Sequence, residues 1–481
     1  MMNYQYRIVY LMTCLFGLML SLSFQGCREA EPGVYSYPAV PGLATSDKYT
    51  VIVNGVEIWT EKFRTSMDIE SLPEWFTSRP YTSVQQEVHF ASFSSEGEIS
   101  VSVKVPGDIS IATVRPSGRG IEPEINGNVL SFTLQGPDKL YIEVDDLPPL
   151  CFFANPAEEE VPSADDPGVI YFGPGRHHPG YITLADNQTL YIAPGAIVYG
   201  GIRTDGATNI RVTGRGILDG AFEYDRMVRV DNSENVLFEG ITIRNGRGWI
   251  NTVTASRNVK YDDVKVVSFG PSGDGINPVG SQNVTISNCF FRCTDDCVAI
   301  KSPQPDHVVE DILIENNTMV GFAFSDGVTI GFETRGPYIR NVVARNNDIL
   351  LSRGGSRVDG HSGFSIVCDG PSLIIDILFE DIRVEQADEK LFELIITEGR
   401  RYGDDPPGNI RNVTVRNVTW FHEGPVSLEG FGELNNISGV FFEDCFVDGR
   451  PLSEMAERVL HIGPFVEDVK IVNYGSSISP R

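Results

Sequence analysis

The sequence predicts an all-β protein in which a small β-sandwich precedes a long parallel β-helix. Three features predict it. Short apolar runs alternate with period two throughout, with no helical phase. Beyond residue 156 the runs recur as units: Asn209-Ile-Arg-Val, Asn235-Val-Leu-Phe, Asn258-Val-Lys-Tyr and Asn283-Val-Thr-Ile are spaced 26, 23 and 25 residues. Asparagine opens these units, and the theme continues through Ile339-Arg-Asn-Val, Ile375-Asp-Ile-Leu, Asn409-Ile-Arg-Asn and Asn436-Ile-Ser-Gly to Val469-Lys-Ile-Val. A period of this length with two or three strands per unit is a solenoid. Leucine-rich repeats share the length, but their Leu/Asn consensus is absent. In a β-helix each coil buries its aliphatics against the coils above and below, about 4.8 Å away. Asparagines at the corners stack their amides and accept the left-handed backbone that a corner needs.

In order, residues 1–27 read as a secretory signal. Arg7 precedes the apolar run Ile8 to Phe24, followed by Gln25-Gly26-Cys27. The run is short for a membrane span. Ending at Gly-Cys, it resembles a bacterial lipoprotein signal. That resemblance implies a lipidated Cys27 as the mature N-terminus, and a protein anchored by lipid in the cell envelope, at the outer membrane, facing either the periplasm or the outside. Residues 28–47, rich in Pro, Gly and Ser, read as a linker. Residues 48–155 carry alternating runs such as Ile99-Ser-Val-Ser-Val and Val129-Leu-Ser-Phe-Thr-Leu between frequent turns, the pattern of an antiparallel sandwich with an accessory role. Residues 156–481, opened by an acidic proline-bearing stretch, form the predicted β-helix.

Composition narrows the function. With 65 acidic against 38 basic residues the net charge is −27, which repels a phosphate backbone and argues against nucleic-acid binding. Without Cys14 and Cys27 six cysteines remain, too few in such a length for a disulfide framework. Cys289, Cys293 and Cys297 follow a C-x3-C-x3-C spacing with no histidine inside it, which fits no usual zinc pattern. Buried core cysteines are expected, and neither a metal nor a cofactor is. The chain is expected to act as a monomer.

The chemistry lies between Ser272 and Ser302. Asp274 occupies a Gly-Asp-Gly turn, and Asp295 and Asp296 follow 21 and 22 residues later, about one coil. The three carboxylates should therefore meet on neighbouring rungs of one face. Clustered carboxylates raise one another's pKa and keep a proton available near neutrality. This is the electrostatic condition for an acid and base working on a glycosidic bond.

Gly273-Asp-Gly-Ile-Asn-Pro, Asn283-Val-Thr-Ile-Ser-Asn and Asp295-Asp-Cys-Val-Ala-Ile-Lys-Ser resemble the core of the family 28 glycoside hydrolases, the polygalacturonase family. Tyr191-Ile-Ala-Pro-Gly-Ala and Gly214-Arg-Gly-Ile-Leu-Asp-Gly resemble its early coils. The resemblance covers roughly residues 168–450. It implies a right-handed β-helix and hydrolysis with inversion, with Asp296 as general acid and Asp274 and Asp295 activating water.

Two departures bear on substrate. The family's Gly-His-Gly motif falls on Ser325-Asp326-Gly327, replacing its histidine with a fourth carboxylate, Asp326. Its Arg-x-Lys motif, which would grip a uronate, falls on Ser365-Ile366-Val367 without either cation. Asp326 and the preceding sandwich also resemble the dextranase-like family 49 enzymes. The polysaccharide or oligosaccharide substrate thus stands open between a pectic chain and a neutral glycan. Lys301 and Arg335 are candidate compensating cations. Trp249, one coil before Asp274, is a candidate sugar-stacking residue or a core tryptophan. His361 lies with Arg353, Arg357 and Asp359 in a Gly-rich candidate substrate loop, and Arg400, Arg401 and Tyr402 form another. A lyase or a non-catalytic glycan-binding protein on the same fold is the alternative. Lys301 follows Asp296 by five residues, an odd step that predicts the opposite face of a strand and disfavours it as a lyase base.

Overall fold

The computed structural model describes residues 33–65, 67–68, 72, 74, 87–354, 361–398 and 406–475. Cys27 with the signal, Arg357, Asp359, Arg400, Arg401 and Tyr402 lie outside the described residues. No helix among the described residues is long and apolar enough to cross a membrane.

Two sheets form the first unit. One holds Thr50–Val53, Val56–Ile58, Ile99–Lys104, Glu124–Asn126 and Val129–Leu134. The other holds Val34–Ser36, Thr60–Arg64, Glu87–Ser95, Ala112–Arg115, Asp138–Val144 and Leu150–Asn155. Pairing is antiparallel except between Glu87–Ser95 and Leu150–Asn155, which run parallel. The alternation seen in the sequence places Val51, Val53, Val101, Val103, Leu130 and Phe152 between the sheets. The stretch read as a linker is ordered in part: Val34–Ser36 adds an edge strand to Glu87–Ser95.

From Val169 the chain winds into a parallel β-helix. One sheet stacks twelve strands from Val169–Phe172 to Val466–Val472, and the strands facing it join in a second parallel system. The sites of interest sit on a column of the latter: Val228–Asp231, Asn251–Thr254, Ile276–Val279, Val298–Ser302, Val328–Thr334, Ser362–Cys368 and Lys390–Ile396. Inward-facing aliphatics from every coil make one continuous core. Cys289, Cys293, Cys297, Cys368 and Cys445 are buried in it as free thiols. Near the C-terminal end the amphipathic helix Leu452–Val459 adds Leu452, Met455 and Val459 to the same core.

The corner asparagines behave as their sequence positions imply. Asn209, Asn235, Asn258 and Asn283 all have φ between 51° and 58°. Each donates its amide to the asparagine one coil before: Asn209 to Asn187 (2.9 Å), Asn235 to Asn209 (3.2 Å), Asn258 to Asn235 (3.0 Å) and Asn283 to Asn258 (2.7 Å). The ladder holds the register of coils whose strands would otherwise slide.

Sandwich and helix share an apolar seam. Phe63, Phe90, Tyr141 and Phe153 pack on Phe269, Phe290, Phe322 and Leu351 of the coils, and the rings of Phe153 and Phe290 lie 4.9 Å apart, edge to face. Buried ion pairs cross the seam. Arg244 donates to both oxygens of Glu61 (2.8 and 2.9 Å) and to Asp219 (2.8 Å). Arg119 bridges Asp138 and Asp348. Lys139 reaches Asp263, beside Lys265, whose ammonium burial pushes down to about 7.

Candidate active site

Register, not proximity in sequence, brings the aspartates together. Asn251 pairs with Ile276, Ile276 with Val298, Val298 with Val328 and Val328 with Phe364. Two residues before these positions stand Trp249, Asp274, Asp296, Asp326 and Ser362, and Ser362 pairs with Lys390 on the next coil. A main-chain ladder runs through the column: Ile250 N–H to Asp274 O (2.9 Å), Gly275 N–H to Asp296 O (2.8 Å) and Cys297 N–H to Asp326 O (2.9 Å). The three carboxylates therefore rise one above another at the strand spacing, about 4.8 Å.

A small inward residue follows each of them, and also Ser362. Gly275, Cys297, Gly327 and Gly363 turn into the core, so the chain passes from corner to strand with two consecutive inward positions. A Cβ at Gly275 would meet the carbonyl of Cys297 at 2.4 Å, and one at Gly327 would meet Ile349 at 2.7 Å. This double inward step corrects the expectation for Lys301. Cys297 and Val298 both face the core, so the alternation slips by one and Lys301 shares the side of Asp296. Its ammonium lies 4.0 Å from Asp274 Oδ2 and donates to Glu333 Oε2 at 3.0 Å.

The cluster is largely buried. Asp274, Asp296 and Asp326 are buried, while Asp295 is partly exposed. Burial is the main cause that pushes Asp274 well above the usual carboxylate range, and the charge of Asp295 adds to it while Lys301 opposes. Asp296 is raised likewise, by burial first and then by Asp295 and Asp326. Its Oδ1 accepts the Asp326 N–H at 3.0 Å, and its own N–H donates to Asp295 Oδ1 at 3.1 Å. Asp326 is pushed by burial to about 7, although the Ser365 hydroxyl and the Ser362 N–H (2.6 Å) both donate to it and favour its ionised form. Lys301, despite burial, holds its proton more tightly than usual because Glu333, Asp274 and Asp296 surround it.

The remaining candidates separate. Trp249 joins the column, but cations already occupy its ring: the Arg226 guanidinium lies 4.4 Å and the Lys301 ammonium 4.9 Å from its centre. The partly exposed ring thus holds two cations beside the carboxylates. His361 is buried beside Phe324, 6.2 Å between rings, immediately before Ser362. Arg335 stands one position past Thr334, which pairs with Ser302, at the far end of the strand from Asp326, with its N–H on Ser302 O. Ser365, where the sequence lacks the motif's arginine, bonds Asp326 instead.

Three partners were not foreseen. Glu333 enters through a register shift between Ile300 and Ser302, with φ 58°, and nothing in its sequence context announces it. Lys390 and Glu393, an ion pair, lie one coil beyond Ser362 and Ser365. The pattern Asp-Gly, Asp-Cys, Asp-Gly, Ser-Gly continued one coil further would have located them. A second titratable group, Asp47, Glu87 and His89 in the sandwich, also escaped the sequence reading. Lys62 sits between its carboxylates, 3.1 and 3.5 Å away.

The model for glycosyl hydrolases family 28 matches residues 195–430, so the family resemblance read from the aspartate motifs holds over these coils. The "Probable exopolygalacturonase B" of Aspergillus flavus is 25% identical over 230 residues, covering 44% of this chain and 50% of that protein. An exopolygalacturonase of Rhizopus delemar is 24% identical over 233 residues, covering 44% and 57%. The chain thus spans about half the length of the curated relatives it matches. Among solved structures, the exopolygalacturonase of Thermotoga maritima aligns with a TM-score of 0.50 at 19% identity, over 64% of this chain and 84% of that one. Dex49A of Penicillium minioluteum aligns with a TM-score of 0.59 at 15% identity, over 91% and 96%. At such identities the likeness speaks for the fold, a right-handed parallel β-helix.

Proposed function

We propose, from the family 28 resemblance of the central coils and from the stacked carboxylates, that the chain is a polygalacturonase-like glycoside hydrolase that inverts the configuration of the bond it cleaves. The observation that carries this is three buried aspartates on successive rungs with Asp295 beside them. Asp296 is the general acid. Screened from water and flanked by Asp295 and Asp326, it keeps a proton that an isolated carboxyl would lose. Asp274 is raised by burial as well, but the Lys301 ammonium 4.0 Å away opposes that shift, and with the partly exposed Asp295 it is assigned to activating the attacking water. The sugar leaves through its bridging oxygen, which takes the proton of Asp296, and water supplies the new reducing-end hydroxyl.

A lyase would need a neutral base. Lys301 is held protonated by Glu333, Asp274 and Asp296, which favours hydrolysis over elimination. Polygalacturonate is the first substrate to test, since the Aspergillus flavus and Rhizopus delemar relatives are exopolygalacturonases by name, and a neutral glucan is the second, since Ser365 and Val367 stand where the family's motif has the cations that would grip a uronate. The signal pattern supports export with a lipid on Cys27. Labelling with a fatty-acid analogue, abolished by Cys27→Ala, is the expected outcome.

The decisive variants are Asp274→Asn and Asp296→Asn. Loss of an acid or base should cut turnover on the hydrolysed polysaccharide by about 10²–10⁴-fold, with the circular dichroism of the fold unchanged. Wild-type-like turnover in both variants would refute the reading.

A further inference from the structure

We infer that the sheet face on the N-terminal side of Asp274 is a subsite for an anionic oligosaccharide, with Arg203 and Arg226 as the charges that select it. This rests on the glycosidase reading of the aspartate cluster and assigns residues outside that cluster.

The first observation is charge. In a chain of net charge −27, arginines are expected to sit on carboxylates, and most described ones do: Arg244 on Glu61 and Asp219, Arg345 on Glu315, Arg383 on Asp348, Arg416 on Glu380 and Glu443. Arg203 and Arg226 are exposed, and neither has a carboxylate within ion-pair reach among the described residues. Arg229, in register with Arg203, is spent on Asp231 at 2.8 Å.

The second observation is how these two are held. Each guanidinium lies on an aromatic ring: Arg203 at 3.5 Å from the centre of Tyr181, Arg226 at 4.4 Å from that of Trp249. Tyr181 is braced edge-on by Tyr224 at 4.9 Å, and a Cβ at Gly201 would stand 2.8 Å from its ring. A carboxylate partner would fix an arginine and neutralise it. A ring fixes the arginine and leaves its charge available.

The third observation is placement. The strands bearing Tyr181, Arg203, Arg229 and the neighbours of Trp249 follow one another in parallel register and lead to Asp274. Three strand spacings, about 14 Å, separate Tyr181 from Trp249. Lys301, 4.9 Å from Trp249 and 4.0 Å from Asp274, closes the row at the reacting end. A saccharide laid along this row would meet a cation on successive coils before reaching the carboxylates. Planar guanidiniums suit carboxylate or sulfate substituents on such a chain.

The test measures binding without turnover. In the Asp296→Asn chain, affinities are taken by calorimetry for an oligogalacturonide, its methyl ester of equal length and a sulfated oligosaccharide, with and without Arg203→Gln and Arg226→Gln together. The pair of substitutions should weaken oligogalacturonide binding about tenfold at low salt, with the difference shrinking at high ionic strength, and should leave the neutral ester unaffected. An equal loss confined to the sulfated sugar supports the same charge selection with sulfate as its anion. Unchanged affinity for both anionic ligands, or an equal loss for the neutral ester, overturns the subsite. The enzyme reading stands or falls separately, on turnover by the Asp274→Asn and Asp296→Asn variants.

Discussion

Asp326→Asn isolates the charge of one carboxylate without dismantling the site. The main-chain N–H of residue 326 still donates to Asp296 Oδ1, and an amide oxygen still accepts the Ser362 N–H. What disappears is a negative charge about 4.8 Å from Asp296. At that distance two unit charges interact by about 3.5 kcal/mol for an effective dielectric of 20 and about 0.9 kcal/mol for water. At 1.36 kcal/mol per pKa unit, these limits are about 2.5 and 0.6 units. Burial pushes Asp326 up to about 7, so it is only partly charged near neutrality, and there the expected shift is about one unit. Its sign follows from the like charge: removing it makes the proton of Asp296 easier to lose. The basic limb of kcat/KM, set by the protonated acid, should move to lower pH, while turnover on the acidic side persists. The apparent values belong to the coupled cluster and not to one residue, so the shift between variant and parent is the quantity to compare. Full pH profiles on the hydrolysed polysaccharide measure it. A basic limb that stays in place or moves upward would refute the electrostatic reasoning, and so would a uniform loss at every pH.

Lys301→Met should act in the opposite direction. Without the ammonium, Asp274 and Asp296 hold their protons more tightly, so both limbs should move to higher pH, and Glu333 is left without its 3.0 Å partner. Arg244→Met addresses the seam between sandwich and β-helix. It strands Glu61 and Asp219 as buried charges, at a cost of about 3–5 kcal/mol, read as a fall in the urea midpoint of the transition in which the two units separate.

Much of the molecule is legible in its sequence because a coil repeats its needs. Asn209, Asn235, Asn258 and Asn283 recur at one coil's spacing since each fills the same left-handed corner and bonds the one before it. Asp274 and Asp296 are legible for the same reason, being 22 residues and one rung apart. What escapes is set by local breaks in the repeat or by contacts between distant segments. The side of Lys301 is not legible from spacing because strict alternation does not survive a corner where Cys297 and Val298 both turn inward. Glu333 reaches the site through a register shift that leaves no periodic trace. Arg244 finds Glu61 across 183 residues, a pairing no spacing could suggest. Trp249 was placed on the right rung, but its ring carries Arg226 and Lys301, which only the packing reveals.

The central claim, that these aspartates hydrolyse a glycosidic bond by activating water directly, is tested most directly by the anomeric form of the first product. Proton NMR in the opening minutes of hydrolysis distinguishes the two anomers before they equilibrate. A reducing end with configuration opposite to the bond cleaved is the predicted result. A retained configuration, or an unsaturated sugar at the new end, would contradict it.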